Sequence, residues 1–143
     1  MKRVRVGPSG IAGQGLFAAI DLKKGTRIIQ YIGEKISKPE SDRRLAADNV
    51  YIFELNERYA IDGKTLKNLA RYINHSCAPN CEVENTGRAI WIVAGRDIQE
   101  GEELSYDYGY EAEGYEAHPC HCGATNCCGY MIARQYWGLI KRQ

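Results

Sequence analysis

Apolar residues fall in short runs along the chain, separated at close intervals by Gly, Pro, Asn and Asp. The runs are rich in Ile, Val and Tyr, which suit a pleated, half-buried strand better than a helix. They predict strands at Val4 to Val6, Leu16 to Ala18, Thr26 to Tyr31, Tyr51 to Leu55, Arg58 to Asp62, Glu82 to Glu84, Ala89 to Val93 and Leu104 to Tyr106. Asn85-Thr86-Gly87 has the composition of a hairpin turn between the sixth and seventh of these. One helix is signalled. Ser37 precedes Glu40 at capping-box spacing, Pro39 sits in the first turn, and Arg43-Arg44-Leu45-Ala46-Ala47 carries the helix to about Ala47. A shorter helical turn is expected over Leu66 to Tyr72. Spaced apolar residues from Tyr130 to Ile140 would let the tail close over the body of the domain. The pattern is mainly β, with short helices and no repeat or low-complexity tract.

A chain of 143 residues suits one domain and is long enough for a core without disulfide staples. The net charge of +1 argues against a protein that grips nucleic acid through a broad basic face. The longest apolar run, Ala89 to Ala94, is far shorter than the ~20 residues that cross a bilayer. The Met1-Lys2-Arg3 start leads into Gly and Ser rather than an apolar segment, so no secretory or membrane signal is expected.

Six cysteines change the picture, because Cys120, Cys122, Cys127 and Cys128 crowd into nine positions and Cys77 and Cys81 stand close together upstream. Cys120-His121-Cys122 followed by Cys127 brings three soft ligands to one point. The alternative is a set of free thiols packed as small apolar groups, which this spacing disfavours. A closed tetrahedral site needs a fourth ligand. Cys77 or Cys81 could fold back from upstream, or Cys128, His118 or His121 could supply it locally. The remaining thiols are expected to be plain core or surface groups.

Three further segments carry chemistry. Gly13-Gln14-Gly15 lets backbone approach a ligand closely, although a turn between strands explains it equally well. Arg71-Tyr72-Ile73-Asn74-His75-Ser76-Cys77-Ala78-Pro79-Asn80 holds more hydrogen-bonding side chains than a surface loop requires. In Glu103-Leu104-Ser105-Tyr106-Asp107-Tyr108 the two tyrosines stand two apart, which on a strand puts both rings on one face.

Taken together in this order, these segments resemble the SET domain of protein lysine methyltransferases over nearly the whole chain. Gly13-Gln14-Gly15, Tyr31-Ile32-Gly33, Arg71 through Asn80 and Glu103 through Tyr108 match four family motifs, and Cys120 to Cys127 resembles the post-SET zinc segment. Ala12 stands where the family often has a basic residue. No cysteine-rich segment is expected ahead of the domain, and the insert is short, so this resembles a minimal enzyme.

The resemblance implies a SET-domain fold of small sheets with a pseudoknot. The SET domain would cover residues 1–112 with its insert at about 37–62, and the post-SET segment and tail would cover 113–143. It selects Cys77 to complete a zinc site with Cys120, Cys122 and Cys127. It implies S-adenosylmethionine as cofactor, held by Gly13, Gln14, Gly15, Tyr51, Arg71, Asn74, His75 and Tyr108. Tyr108 would be the catalytic tyrosine, with Tyr31 and Tyr106 lining the lysine channel. Tyrosine at 106 implies mainly monomethyl, with some dimethyl, product. The partner would be a basic lysine-containing tail, such as that of a histone, rimmed by Glu111, Glu113 and Glu116. The location would be nuclear or chromatin-bound in a eukaryote, or cytoplasmic or delivered to a host nucleus from a bacterium. The other class of function is a non-catalytic SET-like zinc module that binds a protein partner. Such a module would not need Tyr108, Asn74 and His75 together.

Overall fold

The computed structural model describes residues 2–140. Ten strands form four small sheets: β1 (Val4–Pro8), β2 (Gln14–Ala18), β3 (Arg27–Tyr31), β4 (Glu34–Ser37), β5 (Ile52–Glu54), β6 (Tyr59–Asp62), β7 (Asn74–His75), β8 (Cys81–Asn85), β9 (Ile90–Ala94) and β10 (Ser105–Tyr106). β1 pairs with β2, and two three-stranded antiparallel sheets have the orders β3-β9-β8 and β4-β6-β5. Among the described residues the parallel pair is β7 with β10, in which Ser105 stands opposite Asn74 and Tyr106 opposite His75. The pairing sets the Asn74 segment beside the one that leads into Tyr108. All eight predicted strands are present with ends shifted by a few residues. The hairpin turn closes through Thr86 N–H on Ala89 O, with Gly87 at a φ of 84°.

The sequence pattern missed β4 and β7. β4 is polar at Glu34 and Lys35, and Ser37 both ends it and caps the helix that follows. β7 is two polar residues long, below what alternation can signal.

Helix α1 (Lys38–Ala46) begins as its cap predicts, with Glu40 N–H donating to Ser37 Oγ at 3.3 Å. The capping box is only half made, because the Glu40 carboxylate accepts from Arg43 and Arg44 instead. Arg44 also bonds Asp62 at 2.7 Å, tying the helix to β6. Burial alone would raise the Asp62 carboxyl, but hydrogen bonds from Asn49 and Arg44 outweigh it and hold it below its ordinary value. The helical turn expected over Leu66 to Tyr72 is a 3-10 turn at Leu69–Tyr72.

The main core lies between the sheets, where Leu16, Ile73, Ile90, Ile92, Ile98 and Leu104 are fully buried. A second core holds Cys77, Cys120, Cys128, Ile132 and Trp137, so the tail does close over the body of the domain. Its last element is a 3-10 helix at Arg134–Leu139. No helix among the described residues is long and apolar enough to cross a membrane.

Candidate active site and metal centre

The ends of β3, β5 and β10 converge on an aromatic cavity of about 210 Å³. Tyr31 closes β3, Phe53 lies in β5, Tyr106 closes β10 and Tyr108 follows it. Ring centroids are 4.6 Å apart for Tyr31 and Phe53, 4.9 Å for Tyr106 and Tyr108, and 5.6 Å for Tyr108 and Tyr110. Tyr51 and Arg71 line the same space, with the guanidinium carbon 4.4 Å from the Tyr51 ring centre. Arg71 Nε is buried with no hydrogen-bond partner. A Cβ on Gly63 would enter the Tyr31 ring and the Asn68 amide, so glycine is needed there to seat Tyr31.

The phenols are fixed and neutral. Tyr31 donates to Tyr51 O at 2.9 Å, and Tyr108 donates to Ile73 O at 2.5 Å. Burial, followed by neighbouring charge from Tyr110, pushes the Tyr108 hydroxyl far above its ordinary value, and burial does the same for Tyr31 and Tyr106. None of the three is a base near neutral pH.

β7 faces the other side. Asn74 Nδ2 donates to Ala12 O at 3.0 Å and Gln14 O at 3.1 Å, holding the turn that carries Gly13, Gln14 and Gly15. His75 Nδ1 accepts the Tyr108 N–H at 3.0 Å, which leaves the ring proton on Nε2, 3.8 Å from Cys77 Sγ. Burial lowers the His75 pKa, against the opposing charge of Asp107.

Cys77, Cys120, Cys122 and Cys127 gather with their sulfurs all within 4.8 Å of one another. Cys77 Sγ lies 3.9 Å from that of Cys120 and 3.8 Å from that of Cys127. A tetrahedron with metal–sulfur bonds of about 2.3 Å has edges of about 3.8 Å, so these two separations fit the thiolates of a tetrahedral metal site. Cys77 folds back from upstream as the fourth member. Cys81 and Cys128 are buried outside the cluster, in the main and second cores respectively. His118 instead lies against Tyr110, ring centres 4.8 Å apart.

Burial raises the Cys77 thiol and pushes Cys120 up to about 12. Burial would raise Cys122 too, but backbone N–H groups and neighbouring thiols bring it down to about 7. A metal entering this cluster must therefore displace protons.

Residue reasoning missed four groups at this site. Tyr110 continues the two-residue period of Tyr106 and Tyr108, a signal that was available. Phe53 is one aromatic in a short strand, with nothing to distinguish it from core. Ser9 and Glu103 meet beneath the glycine turn only through folding. Glu111 is exposed and lines a groove beside the cavity with Asp42 and Glu54, and Glu113 and Glu116 are exposed beyond it.

The segment Ile73 to Cys77 thus meets the aromatic cavity through Tyr108, the glycine turn through Asn74 and the thiol cluster through Cys77. The family model described as SET domain matches residues 13–109, and the chain belongs to the SET-domain family. It is 47% identical over 135 residues to "Histone-lysine N-methyltransferase trr" of Drosophila melanogaster, covering 86% of this chain and 6% of that protein. It is 43% identical over 133 residues to "Histone-lysine N-methyltransferase 2D" of Homo sapiens, covering 86% and 2%. A third relative, "Histone-lysine N-methyltransferase, H3 lysine-4 specific" of Schizosaccharomyces pombe, is 42% identical over 141 residues, covering 91% and 15%. The chain therefore spans a small part of the length of these relatives.

Elemental analysis of the purified protein should give close to one equivalent of metal, lost in Cys127→Ser and retained in Cys128→Ser. Metal affinity should fall as pH falls, because the thiols must be deprotonated to bind. Unchanged metal content in Cys127→Ser would contradict the ligand set.

Proposed function

We propose that this domain transfers a methyl group from S-adenosylmethionine to the ε-amine of a lysine in a histone tail, with one structural zinc holding the C-terminal segment. The observation that carries this reading is that one segment, Ile73 to Cys77, reaches the catalytic tyrosine, the glycine turn and the thiol cluster together. The names of the relatives support a histone substrate, and one specifies lysine 4 of H3. Asp42 and Glu111 line the groove beside the cavity, where Glu54 is already paired with Lys38, and their charge suits a basic tail. A nuclear, chromatin-bound location follows from that substrate.

When bound, the cofactor supplies a methyl already activated by its sulfonium. The protein's part is to position, to exclude water and to deliver a neutral amine. A lysine in water has a pKa of about 10.4, and lowering it by about 2.5 units corresponds to about 3.4 kcal/mol. The cage of Tyr31, Tyr51, Phe53, Tyr106 and Tyr108 disfavours the ammonium form by desolvation. Tyr108 orients the amine through its hydroxyl while remaining protonated. In this reading Tyr31 walls the lysine channel, Asn74 holds the turn that takes the cofactor, and His75 helps to hold the cofactor while its Nδ1 accepts the Tyr108 N–H. Zinc in a four-thiolate site of this kind contributes about 10–16 kcal/mol of apparent binding free energy, enough to order the segment it closes. A module that only binds a partner has no use for a buried tyrosine hydroxyl held at the end of such a cavity.

The single-turnover rate on a histone H3 peptide should rise with pH at a slope near one as the lysine deprotonates. No second limb from phenolate formation should appear up to about pH 10. A break near neutral pH that disappears in Tyr108→Phe would show that Tyr108 acts as a base.

Product state is read from Tyr106. Its hydroxyl restricts the space beside the amine, so mass spectrometry of a time course should show mainly mono- with some dimethyl-lysine. Tyr106→Phe should shift product towards di- and trimethyl-lysine at a similar first-turnover rate, whereas Tyr108→Phe should lower all turnover by orders of magnitude. Ready accumulation of trimethyl-lysine by the unaltered protein would remove Tyr106 from this role.

A further inference from the structure

The glycine turn rests on a carboxylate. Glu103 Oε2 accepts from Ser9 Oγ at 2.6 Å and from Asn74 Nδ2 at 3.1 Å. Ser9 Oγ in turn accepts the backbone N–H groups of Ile11 at 2.8 Å and Ala12 at 3.2 Å, so its single proton goes to Glu103. Asn74 Nδ2 also lies 3.1 Å from Ser9 Oγ and reaches the Ala12 and Gln14 carbonyls. Glu103 Oε2 thus takes both Ser9, at the start of the turn, and Asn74, whose amide nitrogen lies against the Ala12 and Gln14 carbonyls of the turn.

The fit beneath the turn is close. A Cβ on Gly15 would fall 2.5 Å from Glu103 Oε2, so the carboxylate fills the space that a side chain at position 15 would take. Glu103 is itself held from two sides. Phe17 bridges it, Leu104 N–H donates to Leu16 O at 2.8 Å, and Asn80 Nδ2 donates to Glu103 O at 2.9 Å. Neither Ser9 nor Glu103 lines the aromatic cavity. Glu103 also forms no ion pair among the described residues. Its side-chain partners are Ser9 and Asn74.

We propose that Glu103 is a positioning residue for the methyl donor: acting through Ser9 and Asn74, it sets the shape of the 9–15 turn and so the affinity for S-adenosylmethionine. This rests on the function proposed above. The residue touches neither the lysine channel nor the amine, so its effect belongs to cofactor binding rather than to chemistry. Its charge also has a direction. The donor carries a sulfonium that the demethylated product has lost, and a carboxylate beneath the turn favours the more positive of the two. Glu103 therefore favours the donor over the product in binding.

Calorimetric titration with S-adenosylmethionine and with S-adenosylhomocysteine, alongside steady-state kinetics on a histone H3 peptide, tests this. Glu103→Gln keeps the shape while removing the charge and one acceptor. It should weaken donor binding about tenfold or more, as loss of a charge-assisted hydrogen bond does, and product binding by less. Ser9→Ala should weaken donor binding in the same direction. In both variants the loss should fall in the KM for donor rather than in kcat, with the KM for peptide and the metal content unmoved. Donor binding within threefold of the unaltered protein in both variants would overturn the proposal, as would a loss confined to kcat. If Glu103→Gln does not fold, Ser9→Ala decides by the same limits. An unaltered protein that binds neither compound would instead overturn the functional reading on which the proposal stands.

Discussion

The parallel pairing of Asn74–His75 with Ser105–Tyr106 is the constraint on which the site depends. It sets two polar segments, far apart in sequence, side by side in the middle of the domain. Over five residues the chain then does four things. Ile73 O takes the Tyr108 hydroxyl, the Asn74 amide holds the glycine turn, His75 Nδ1 takes the Tyr108 N–H, and Cys77 joins the thiol cluster. Each hydrogen bond contributes only about 0.5–1.5 kcal/mol net, so none of them alone fixes the site. They act as a set, because a shift of β7 that relaxed one would leave buried partners of the others unsatisfied.

Burial also makes the chemistry consistent. The same desolvation that keeps the tyrosine hydroxyls protonated disfavours a charged lysine in the cavity they line. A cage that never ionises can orient an amine without competing for its proton. On the other side of β7, polar groups face the turn and the Glu103 carboxylate is available to it. The division of the site into a neutral half and an electrostatic half follows from which face of one two-residue strand each group meets.

Much of this was legible in the sequence for identifiable reasons. The strands were visible because Ile, Val and Tyr runs are bounded by turn residues, and α1 because Ser37 and Pro39 mark its start. The metal cluster was half visible. Cys120, Cys122 and Cys127 are local, but residue spacing left Cys77, Cys81, Cys128 and the histidines open, and family resemblance chose Cys77. β7 was not legible because two polar residues have no period. The support of the glycine turn by Ser9 and Glu103 was not legible either, since 94 positions separate them. Tyr51 and Arg71 stack cation on ring and line both the aromatic cavity and the neighbouring one beside α1.

If one segment links these parts, disturbing one end must be felt at the other. Amide hydrogen exchange at Tyr108, measured with the metal bound and after chelation, tests this most directly. The Tyr108 N–H is held by His75, and His75 lies against Cys77. Chelation should accelerate exchange at Tyr108 about tenfold or more while Ile92, in the middle of β9, keeps its protection. Exchange at Tyr108 that is unchanged after the metal has left would show that the thiol cluster and Tyr108 are supported independently, and would contradict the account.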